Sequence, residues 1–495
     1  MKGGGDIVTE EYLNKIDSVI ENGKYKASWD SLCNHETPKW YHKAKFGIFI
    51  HWGIYSVPAF GNEWYSRNMY DKIKPEYRHH IKTYGKHTDF GYKDFIPMFK
   101  GESFNADEWI SLFKESGAKY VMPVAEHHDG FAMYDTKLNC WNSVLMGPCR
   151  DVAGEIKAAC EKYGLVYCAS NHRAEHYFFM NMGRTIDSDV NDEQYADFYG
   201  PAYYSKHFHS FRMETNVRTE SPTEEFLKDW LVRNCEFIDH YQPRVVYFDW
   251  WIQNQAFKPY LKKFAAYYYN RAEEWEQEVS INYKHNAFPP NCATFDVERG
   301  ALKGISPVPW QTCTAIAKNS WGYTENNKFK SVNHIVCDLI DIVSKNGMML
   351  LNVGPRADGT ITEEEKAVLK GIGRWLSVNG EGLFDTIPWK AFGEGKANVK
   401  DGFFQDNKNK GYTAKDFRFT YKNGSVYAFW MKPSKNKAAK IKSFKMINAD
   451  LLVKRVTLLE NGNTLQFERN KKCMEIRLPD QVTSDLPLCF KIEIE

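Results

Sequence analysis

The sequence lacks the patterns by which several large classes of protein are recognised. Its eleven cysteines include no C-x-x-C pair and no even spacing, so we expect free buried thiols and neither a disulfide framework nor a zinc site. No apolar stretch approaches the length of a membrane span. With 65 Lys and Arg against 63 Asp and Glu, the chain has no charge excess that would favour nucleic acid or an anionic membrane as its main partner.

The N-terminus also lacks an export signal. It begins Met-Lys-Gly-Gly-Gly-Asp and has no apolar segment of the kind that signal peptidase removes. We therefore expect a cytoplasmic location for the chain as it stands, or export with the signal already removed. The sequence leaves both the compartment and the oligomeric state open.

Short apolar runs alternate with amphipathic segments from about residue 40 to 385. The runs predict strands, and the segments between them predict helices over 106–116, 152–163 and 224–240. The runs cover residues 46–50, 120–125, 165–169, 245–248, 279–281 and 348–353. This alternation indicates a parallel sheet, either doubly wound or closed into a (β/α)8-like TIM-type barrel.

The residues that follow these runs favour the barrel over the doubly wound fold. Polar and reactive side chains appear where one run after another ends, and barrel enzymes assemble their sites at the C-terminal ends of their strands. They are His51, Glu126, His127, His128, Asp129, Asn171, His172, Asp249, Asn282 and Lys284. A doubly wound fold would concentrate them at one crevice and would usually show a Gly-rich phosphate turn, which is absent.

The last hundred residues have a different pattern. Apolar and polar residues alternate with period two over 416–421 and 426–430, and Asn423-Gly424 between them is a strong hairpin signal. Further runs of this kind cover residues 453–458, 465–468, 474–478 and 488–494. A chain of 495 residues is long enough for two domains. We therefore predict a catalytic barrel over residues 1–390 and an antiparallel β-sandwich over residues 391–495.

Asp249 is the most informative single residue. It ends the apolar run Val-Val-Tyr-Phe and is followed by Trp250 and Trp251. A carboxylate among aromatic rings suits carbohydrate chemistry, because the rings stack on sugar C–H faces and the carboxylate meets an oxocarbenium-like centre. A retaining glycosidase needs a second carboxyl group about 5 to 5.5 Å from the first. Composition leaves five candidates open for it: Glu63, Glu126, Glu175, Asp296 and Glu298.

The adjacent pair His127 and His128 offers a second kind of site. Successive side chains on a strand point to opposite faces, which makes adjacent histidines poor partners for one metal ion. We therefore expect no metal here. One imidazole should face the pocket and hydrogen-bond ligand hydroxyl groups, while the other is held behind it.

One connection is unusually long and rich in aromatic rings. About fifty residues separate His172 from the helix predicted at residue 224. A loop of that size within a compact domain is normally functional. We interpret residues 173–223 as a wall of the site that sets substrate preference, with an oligomer contact or an enlarged surface loop as the alternatives.

Six motifs, in order along the chain, resemble the α-L-fucosidases of glycoside hydrolase family 29. They are Lys45-Phe-Gly-Ile-Phe-Ile-His-Trp-Gly-Ile-Tyr-Ser-Val-Pro58, Glu63-Trp-Tyr65, Glu126-His-His-Asp-Gly-Phe131, Phe248-Asp249, Ser320-Trp-Gly-Tyr323 and Val343-Ser-Lys-Asn-Gly-Met-Met-Leu-Leu-Asn-Val-Gly-Pro355. The resemblance implies a (β/α)8-like barrel followed by a β-sandwich. It also implies exo-hydrolysis of terminal α-L-fucose from fucosylated glycans with retention, without a cofactor.

The resemblance assigns roles by position. It implies that Asp249 is the nucleophile and that Glu298, in Phe-Asp-Val-Glu-Arg-Gly, is the acid/base. The other positions implied to bind the substrate are His51, Glu63, Trp64, His127, His128, His172, Tyr247 and Lys284. Two of these depart from the family's usual residues. Tyr247 stands where Trp is frequent, and Lys284 stands where Arg is frequent. Lys284 therefore offers a point charge in place of a planar guanidinium.

Several questions stay open at this stage. A non-hydrolytic fucose-binding protein on the same scaffold and a metal-dependent barrel hydrolase are the alternative functions. The sequence does not decide which fucosyl linkage is cleaved or which glycan carries it.

Overall fold

The structure is a computed structural model that describes residues 3–204, 221–397, 399–408, 411–446 and 451–495. Its α-helices are α1 (Gly3–Asn22), α2 (Trp29–Leu32), α3 (Lys39–Ala44), α4 (Tyr65–Asn68), α5 (Pro75–Thr83), α6 (Ala106–Glu115), α7 (Val152–Tyr163), α8 (His176–Phe179), α9 (Ala196–Tyr199), α10 (Glu224–Tyr241), α11 (Lys258–Glu274), α12 (Val332–Ser344) and α13 (Glu363–Asn379). No described helix is both long enough and apolar enough to span a membrane.

Nine strands form the first sheet, and all of them run parallel. They are β1 (Phe46–Ile50), β2 (Tyr120–Glu126), β3 (Val166–Tyr167), β4 (Ala169–Asn171), β5 (Val245–Phe248), β6 (Ser280–Tyr283), β7 (Thr294–Phe295), β8 (Trp310–Ala315) and β9 (Gly347–Val353). Their order is β7-β6-β5-β4-β2-β1-β9-β8, with β3 beside β2. A bridge between Asp296 and Gln311 links the two ends of this sheet. This confirms the barrel predicted from the sequence. The barrel has eight strand positions, and β3 and β4 together occupy one of them.

The three predicted helices and the predicted strands correspond to described elements. α6, α7 and α10 begin at side-chain caps from Asn105, Asp151 and Thr223, which accept hydrogen bonds from backbone N–H groups of the first turn. α7 ends at Gly164 in the left-handed conformation, with φ of 71°. β7 and β8 were not predicted, because β7 has only two residues and β8 is rich in Gln, Thr and Cys.

The barrel has an apolar interior and an apolar outer layer. Phe49, Tyr120, Met122, Val245 and Leu350 are among the residues packed together inside it. A larger cluster joins the outer faces of the strands to the surrounding helices. Parallel strands that are buried on both faces consist of continuous runs of apolar residues. Most of these strands could therefore be predicted from the sequence.

The C-terminal part contains two antiparallel sheets. One has the order β10-β11-β12-β17-β14 and the other β13-β16-β15. Their strands are β10 (Ile387–Glu394), β11 (Phe417–Lys422), β12 (Ser425–Trp430), β13 (Ala438–Ile441), β14 (Val453–Leu458), β15 (Phe467–Arg469), β16 (Met474–Arg477) and β17 (Leu488–Ile494). Side chains from both sheets share one core. Asn423 and Gly424 both have positive φ between β11 and β12, as the predicted hairpin requires.

Close contacts join the sandwich to the barrel. Arg418 of β11 and Lys345 both bond to Asp341 of α12, and the Trp375 indole N–H donates to the backbone of Pro487. The boundary predicted between residues 390 and 391 falls inside β10, which pairs with β11. The division into two domains at that point stays a prediction.

The cysteine prediction is wrong in two respects. Cys33 and Cys292 form a disulfide, although 258 residues lie between them in the chain and no local spacing signals the pair (sequence separation 259). Cys140 and Cys149 are exposed, whereas seven of the nine free cysteines are buried as expected. The bridge ties the segment after α2 to the loop between β6 and β7, a proximity that only the folded barrel creates.

Candidate active site

One cavity at the C-terminal ends of the barrel strands brings together all ten predicted site residues. It has a volume of about 630 Å³. Its predicted lining residues are His51, Glu63, Trp64, His127, His128, His172, Tyr247, Asp249, Lys284 and Glu298. Most of them lie within three residues of the end of β1, β2, β4, β5, β6 or β7, so the closed barrel brings together residues that are distant in sequence.

Lys284 joins the two carboxylates that were predicted to react. Its Nζ donates to Oδ1 of Asp249 and to Oε2 of Glu298, the latter at 2.6 Å. Asp249 follows β5 and Lys284 follows β6, while Glu298 lies three residues beyond β7. Two oxygens bound to one ammonium lie closer together than the roughly 6.5 Å minimum of an inverting enzyme.

The two carboxylates have opposite protonation tendencies. Burial by itself raises the pKa of Asp249, but Lys284, His172 and His128 outweigh it and hold that pKa well below its ordinary value. The pKa of Glu298 is raised, mainly by burial, with the negative charge of Asp249 adding to the rise and Lys284 opposing it. One group therefore stays ionised while the other retains a proton more readily.

His51 and His127 present neutral imidazoles to the cavity. Burial lowers the pKa of both well below the ordinary value. His51 Nδ1 lies 2.6 Å from Oδ1 of Asn352, an atom that only accepts, so Nδ1 donates and Nε2 is left as an acceptor. Asn352 is itself fixed by its donation to the backbone oxygen of Trp321. The amide thus sets the tautomer of His51.

His128 differs from these two because both of its ring nitrogens donate. Nδ1 lies 2.9 Å from the backbone oxygen of His172 and 3.5 Å from Oε2 of Glu175, and Nε2 lies 3.2 Å from Oδ2 of Asp249. Although burial lowers its pKa, Glu175 and Asp249 raise it more, and the net shift is upward. His128 is therefore protonated more readily than an ordinary histidine, beside the carboxylate of Asp249.

His172 lies on the other side of the same carboxylate oxygen. Its Nδ1 is 3.4 Å from Oδ2 of Asp249, and its Nε2 is 3.1 Å from the hydroxyl of Ser170. Burial lowers the pKa of His172 to about 4, despite the attraction of Asp249. It is therefore neutral at physiological pH.

Both His127 and His128 line the cavity, so the prediction that one of them would lie behind it is wrong. The alternation of side chains across a sheet applies only within a strand, and β2 ends at Glu126. Beyond that point the chain turns, and both rings face the same space.

Glu63 and Trp64 come from the loop before α4. Glu63 Oε2 accepts hydrogen bonds from the hydroxyl of Ser320 and the backbone N–H of Trp321, at 3.0 and 2.8 Å. The Trp64 ring stacks on Trp250 with centroids 6.1 Å apart. These two indoles form an aromatic wall next to Asp249. Aromatic rings around this carboxylate were predicted from the sequence at the end of β5.

Tyr247 lies deeper, inside the barrel. Its ring packs against Phe49 at 5.2 Å, and its hydroxyl donates to Asp296 at 3.3 Å. Lys284 Nζ lies 5.6 Å from the centre of the same ring. Tyr247 therefore belongs to the floor of the cavity, below the two carboxylates.

The four other candidates for the second carboxyl group have different partners. Glu126 pairs with Arg173 at 2.6 Å, Glu175 lies between Arg67 and His128, and Asp296 accepts from Gln311 at 2.8 Å. Glu63 is held by the 320–322 backbone. Among the described residues, Glu298 alone shares Lys284 with Asp249.

Six residues of the cavity were not predicted: Phe49, Trp250, His285, Cys313, Trp321 and Phe404. Trp250 and His285 are sequence neighbours of predicted residues, and Phe49 and Trp321 belong to quoted motifs, so these four carried a signal. Phe404 carried none. It reaches the cavity from the segment between β10 and β11, where Phe404 N donates to the backbone oxygen of Glu298.

Within the part of the chain that the structure describes, two overlapping sets of three side chains could hold a metal ion. One is His51, His127 and His172, and the other is His128, His172 and Asp249, with donor atoms within 4.8 Å of one another in each set. The ligands of each set come from different strands. The poor geometry of two adjacent histidines therefore does not apply to either set. His128 donates from both nitrogens, which removes the lone pair that a metal would need.

Comparison with known proteins agrees with this geometry. A sequence profile described as Alpha-L-fucosidase matches residues 12–381. The tissue alpha-L-fucosidase of Mus musculus is 27% identical over 483 residues, which cover 94% of this chain and 93% of that protein. The alpha-fucosidase of Thermotoga maritima in complex with fucose is 30% identical, with a TM-score of 0.73 over 94% of this chain and all of that one (100%). The structure of the same enzyme with a mechanism-based inhibitor has a TM-score of 0.74. This chain belongs to the alpha-L-fucosidase family.

Proposed function

We propose that the protein is a retaining exo-α-L-fucosidase that releases terminal α-linked L-fucose from fucosylated glycans. Family membership supports the substrate class. The observation that carries the proposal is the shared ammonium of Lys284, since it brackets Asp249 and Glu298 at a separation suited to double displacement.

In this mechanism Asp249 attacks the anomeric carbon, and protonated Glu298 donates its proton to the leaving oxygen. A covalent fucosyl-enzyme forms, and the charge of Asp249 is consumed in the new bond. Lys284 then keeps Glu298 as its only ionised partner, which favours the carboxylate form that activates water in the second step. Glu298 ends the cycle protonated, and no metal or organic cofactor takes part.

The histidines recognise the hydroxyl groups of the sugar. His51 offers an acceptor nitrogen, and His128, whose two ring nitrogens lie against the His172 backbone oxygen and Asp249, holds the nucleophile beside the sugar. The indoles of Trp64 and Trp250 supply an apolar wall for the sugar ring, and Phe49 and Tyr247 supply the floor. A small number of directed polar groups in an apolar cavity is typical of a small-ligand site.

The test compares the wild type with Asp249→Asn on para-nitrophenyl α-L-fucoside. We expect the variant to lose several orders of magnitude in kcat, because the neutral amide cannot act as a nucleophile. Circular dichroism should show an unchanged fold. Full activity in the variant would refute the assignment of Asp249.

A fucose titration and a chelator treatment of the wild type separate the two alternative functions. A folded wild type that binds fucose in a titration but releases none from the aryl fucoside would be a fucose-binding protein. An activity that a chelator abolishes and a metal ion restores would indicate a metal-dependent hydrolase.

A further inference from the structure

Three imidazoles face one another in the active-site cavity. They belong to His51, His127 and His172, which directly follow β1, β2 and β4. In all three pairs the ring centres are 5.1 to 5.8 Å apart. One nitrogen of each ring lies within 4.8 Å of one nitrogen of each of the other two. The three rings, here called the imidazole triangle, therefore surround one common space.

The nitrogens of the imidazole triangle have lone pairs to offer. Nδ1 of His51 donates to Asn352, which leaves Nε2 as an acceptor. Nδ1 of His127 and Nδ1 of His172 are buried, and neither has a hydrogen-bond partner within the described part of the chain. Buried polar atoms without a partner are rare in folded proteins. Neutral imidazoles that converge in this way are preferred ligands of Zn²⁺ and Cu²⁺.

The spacing and the surrounding charges also suit such an ion. Zinc binds histidine nitrogens at about 2.0–2.1 Å, so two ligands of one ion lie at most about 4.2 Å apart. Small rotations of the three side chains are enough to reach that separation. The carboxylate of Asp249 lies 3.4 Å from Nδ1 of His172 and attracts a cation, whereas the ammonium of Lys284 on its other oxygen opposes one. The site therefore favours an ion that binds imidazole strongly over Mg²⁺ or Ca²⁺, which prefer oxygen ligands.

We propose that His51, His127 and His172 form an inhibitory binding site for a divalent transition-metal ion of the Zn²⁺ or Cu²⁺ class. The ion takes the lone pair on Nε2 of His51 that the proposed function gives to a sugar hydroxyl, so the ion and fucose exclude each other. It is not a cofactor, because the reaction of Asp249 and Glu298 proceeds without it. The competition with fucose rests on the proposed function, whereas the metal site rests on the three side chains alone.

The first experiment measures the binding of Zn²⁺ by isothermal titration calorimetry. Exposed thiols also bind zinc, so every protein tested carries Cys140→Ser and Cys149→Ser, and this double variant is the parent. We expect the parent to bind Zn²⁺ and not Mg²⁺. His51→Gln and His127→Gln should each weaken zinc binding at least about tenfold, because each removes one ligand. Circular dichroism should show that both variants are folded.

His87→Gln is the matched control. His87 is also buried, and its Nε2 bonds to the backbone oxygen of Met69 at 2.6 Å, but the residue does not line the cavity. This variant should bind zinc as the parent does.

The second experiment measures the competition between zinc and the sugar. Zn²⁺ should raise the apparent KM of the parent for para-nitrophenyl α-L-fucoside without changing kcat, and a chelator should restore the original KM. Free L-fucose at saturating concentration should weaken zinc binding in the calorimeter. This readout requires no substitution in the imidazole triangle, so it stands even if the two histidine variants do not fold.

Three outcomes would overturn the metal site. They are a parent that binds no zinc, zinc binding that both folded histidine variants keep at full strength, and zinc binding by an active parent that saturating fucose does not weaken. Failure of the proposed function looks different. The parent would then release no fucose from the aryl fucoside, yet it would still bind zinc and lose that binding in the histidine variants.

Discussion

At the scale of single residues, Lys284 explains how two carboxylates can lie close together in a buried cavity. Its ammonium offsets the repulsion between Asp249 and Glu298, and both carboxylates in turn raise the pKa of Lys284 well above its ordinary value, against the lowering effect of burial. Lys284 binds both oxygens through one compact ammonium group, whereas an arginine would bind them through a planar guanidinium.

The role of Glu298 can be tested by its removal. We expect Glu298→Ala to slow fucosides with poor leaving groups far more than aryl fucosides, because a good leaving group departs without a proton. Azide should restore the rate on the aryl substrate, since a small anionic nucleophile replaces the water that Glu298 would activate.

The control for that experiment is Glu126→Ala, which removes a buried carboxylate that pairs with Arg173 and does not line the cavity. Any loss of rate in this variant should be the same for good and poor leaving groups, and azide should not restore it. If Glu298→Ala harmed both substrate types equally and azide had no effect, the acid/base would have to be another residue.

The pH dependence of kcat/KM follows from the two pKa shifts. The raised pKa of Glu298 keeps its acidic form present to higher pH than an ordinary carboxyl group, and activity falls as pH rises through that pKa. The lowered pKa of Asp249 keeps the proposed nucleophile ionised, so we expect the acidic limb to lie below the ordinary range of a carboxyl group. Stopped assays between acidic and alkaline pH would measure both limbs.

Lys284→Met should move the alkaline limb upward, because Lys284 lowers the pKa of Glu298. The same variant should also reduce the rate, since Asp249 loses its strongest stabilising charge. Lys330→Met is the matched control: Lys330 is also buried and paired with a carboxylate, Asp406 at 2.6 Å, but it does not line the cavity. An alkaline limb that stayed in place in Lys284→Met would contradict the electrostatic account.

At the scale of elements, the site depends on where strands end. β1, β2, β4, β5 and β6 each stop within one or two residues of a side chain that lines the cavity. The sequence revealed these ends as polar residues after apolar runs. It did not reveal the end of β7, whose two residues give no periodic signal, and Glu298 was therefore assigned only through a resemblance.

The disulfide between Cys33 and Cys292 also acts at this scale, because it fixes the N-terminal segment to the loop after β6. We expect the double variant Cys33→Ser, Cys292→Ser to lose about 2–4 kcal/mol of unfolding free energy, as is typical of a bridge that closes a long loop. Denaturation in urea without reductant would measure the loss.

Cys140→Ser provides the control, since Cys140 is an exposed free thiol. It should leave stability unchanged. A count of thiols in the unreduced, unfolded wild type should give the nine free cysteines, and a count of eleven would show that the bridge does not form.

At the scale of the whole molecule, buried and partly buried histidines make the fold sensitive to acid. His35, His42, His80, His172 and His285 have pKa values lowered to about 4, in each case chiefly by burial. The unfolded chain binds protons near pH 6.5 and the folded one does not. Their contribution to stability is therefore complete above about pH 6.5 and is lost as pH falls toward 4.

His35 allows the direction of this pH dependence of stability to be tested away from the active site. It stacks on Tyr269 at 3.7 Å and bonds to the backbone oxygen of Val279 at 2.7 Å. The stability advantage of wild type over His35→Gln should shrink by up to about 3 kcal/mol between pH 7 and pH 4. Denaturant titrations at both values would measure it. If the stability advantage of the wild type grew as the pH fell, the folded protein would not hold the imidazole of His35 in its neutral form.

The sequence by itself determined the barrel, the sandwich and most of the residues around the cavity. Strands buried on both faces must be apolar, and the polar residues that follow them must lie at one end of a barrel, so local pattern was enough. The tertiary structure alone decided the Cys33–Cys292 bridge, the convergence of Asp249 and Glu298 on Lys284, and the approach of Phe404. Each joins segments far apart in the chain, and such contacts depend on the closure of the barrel, which leaves no mark in the local sequence.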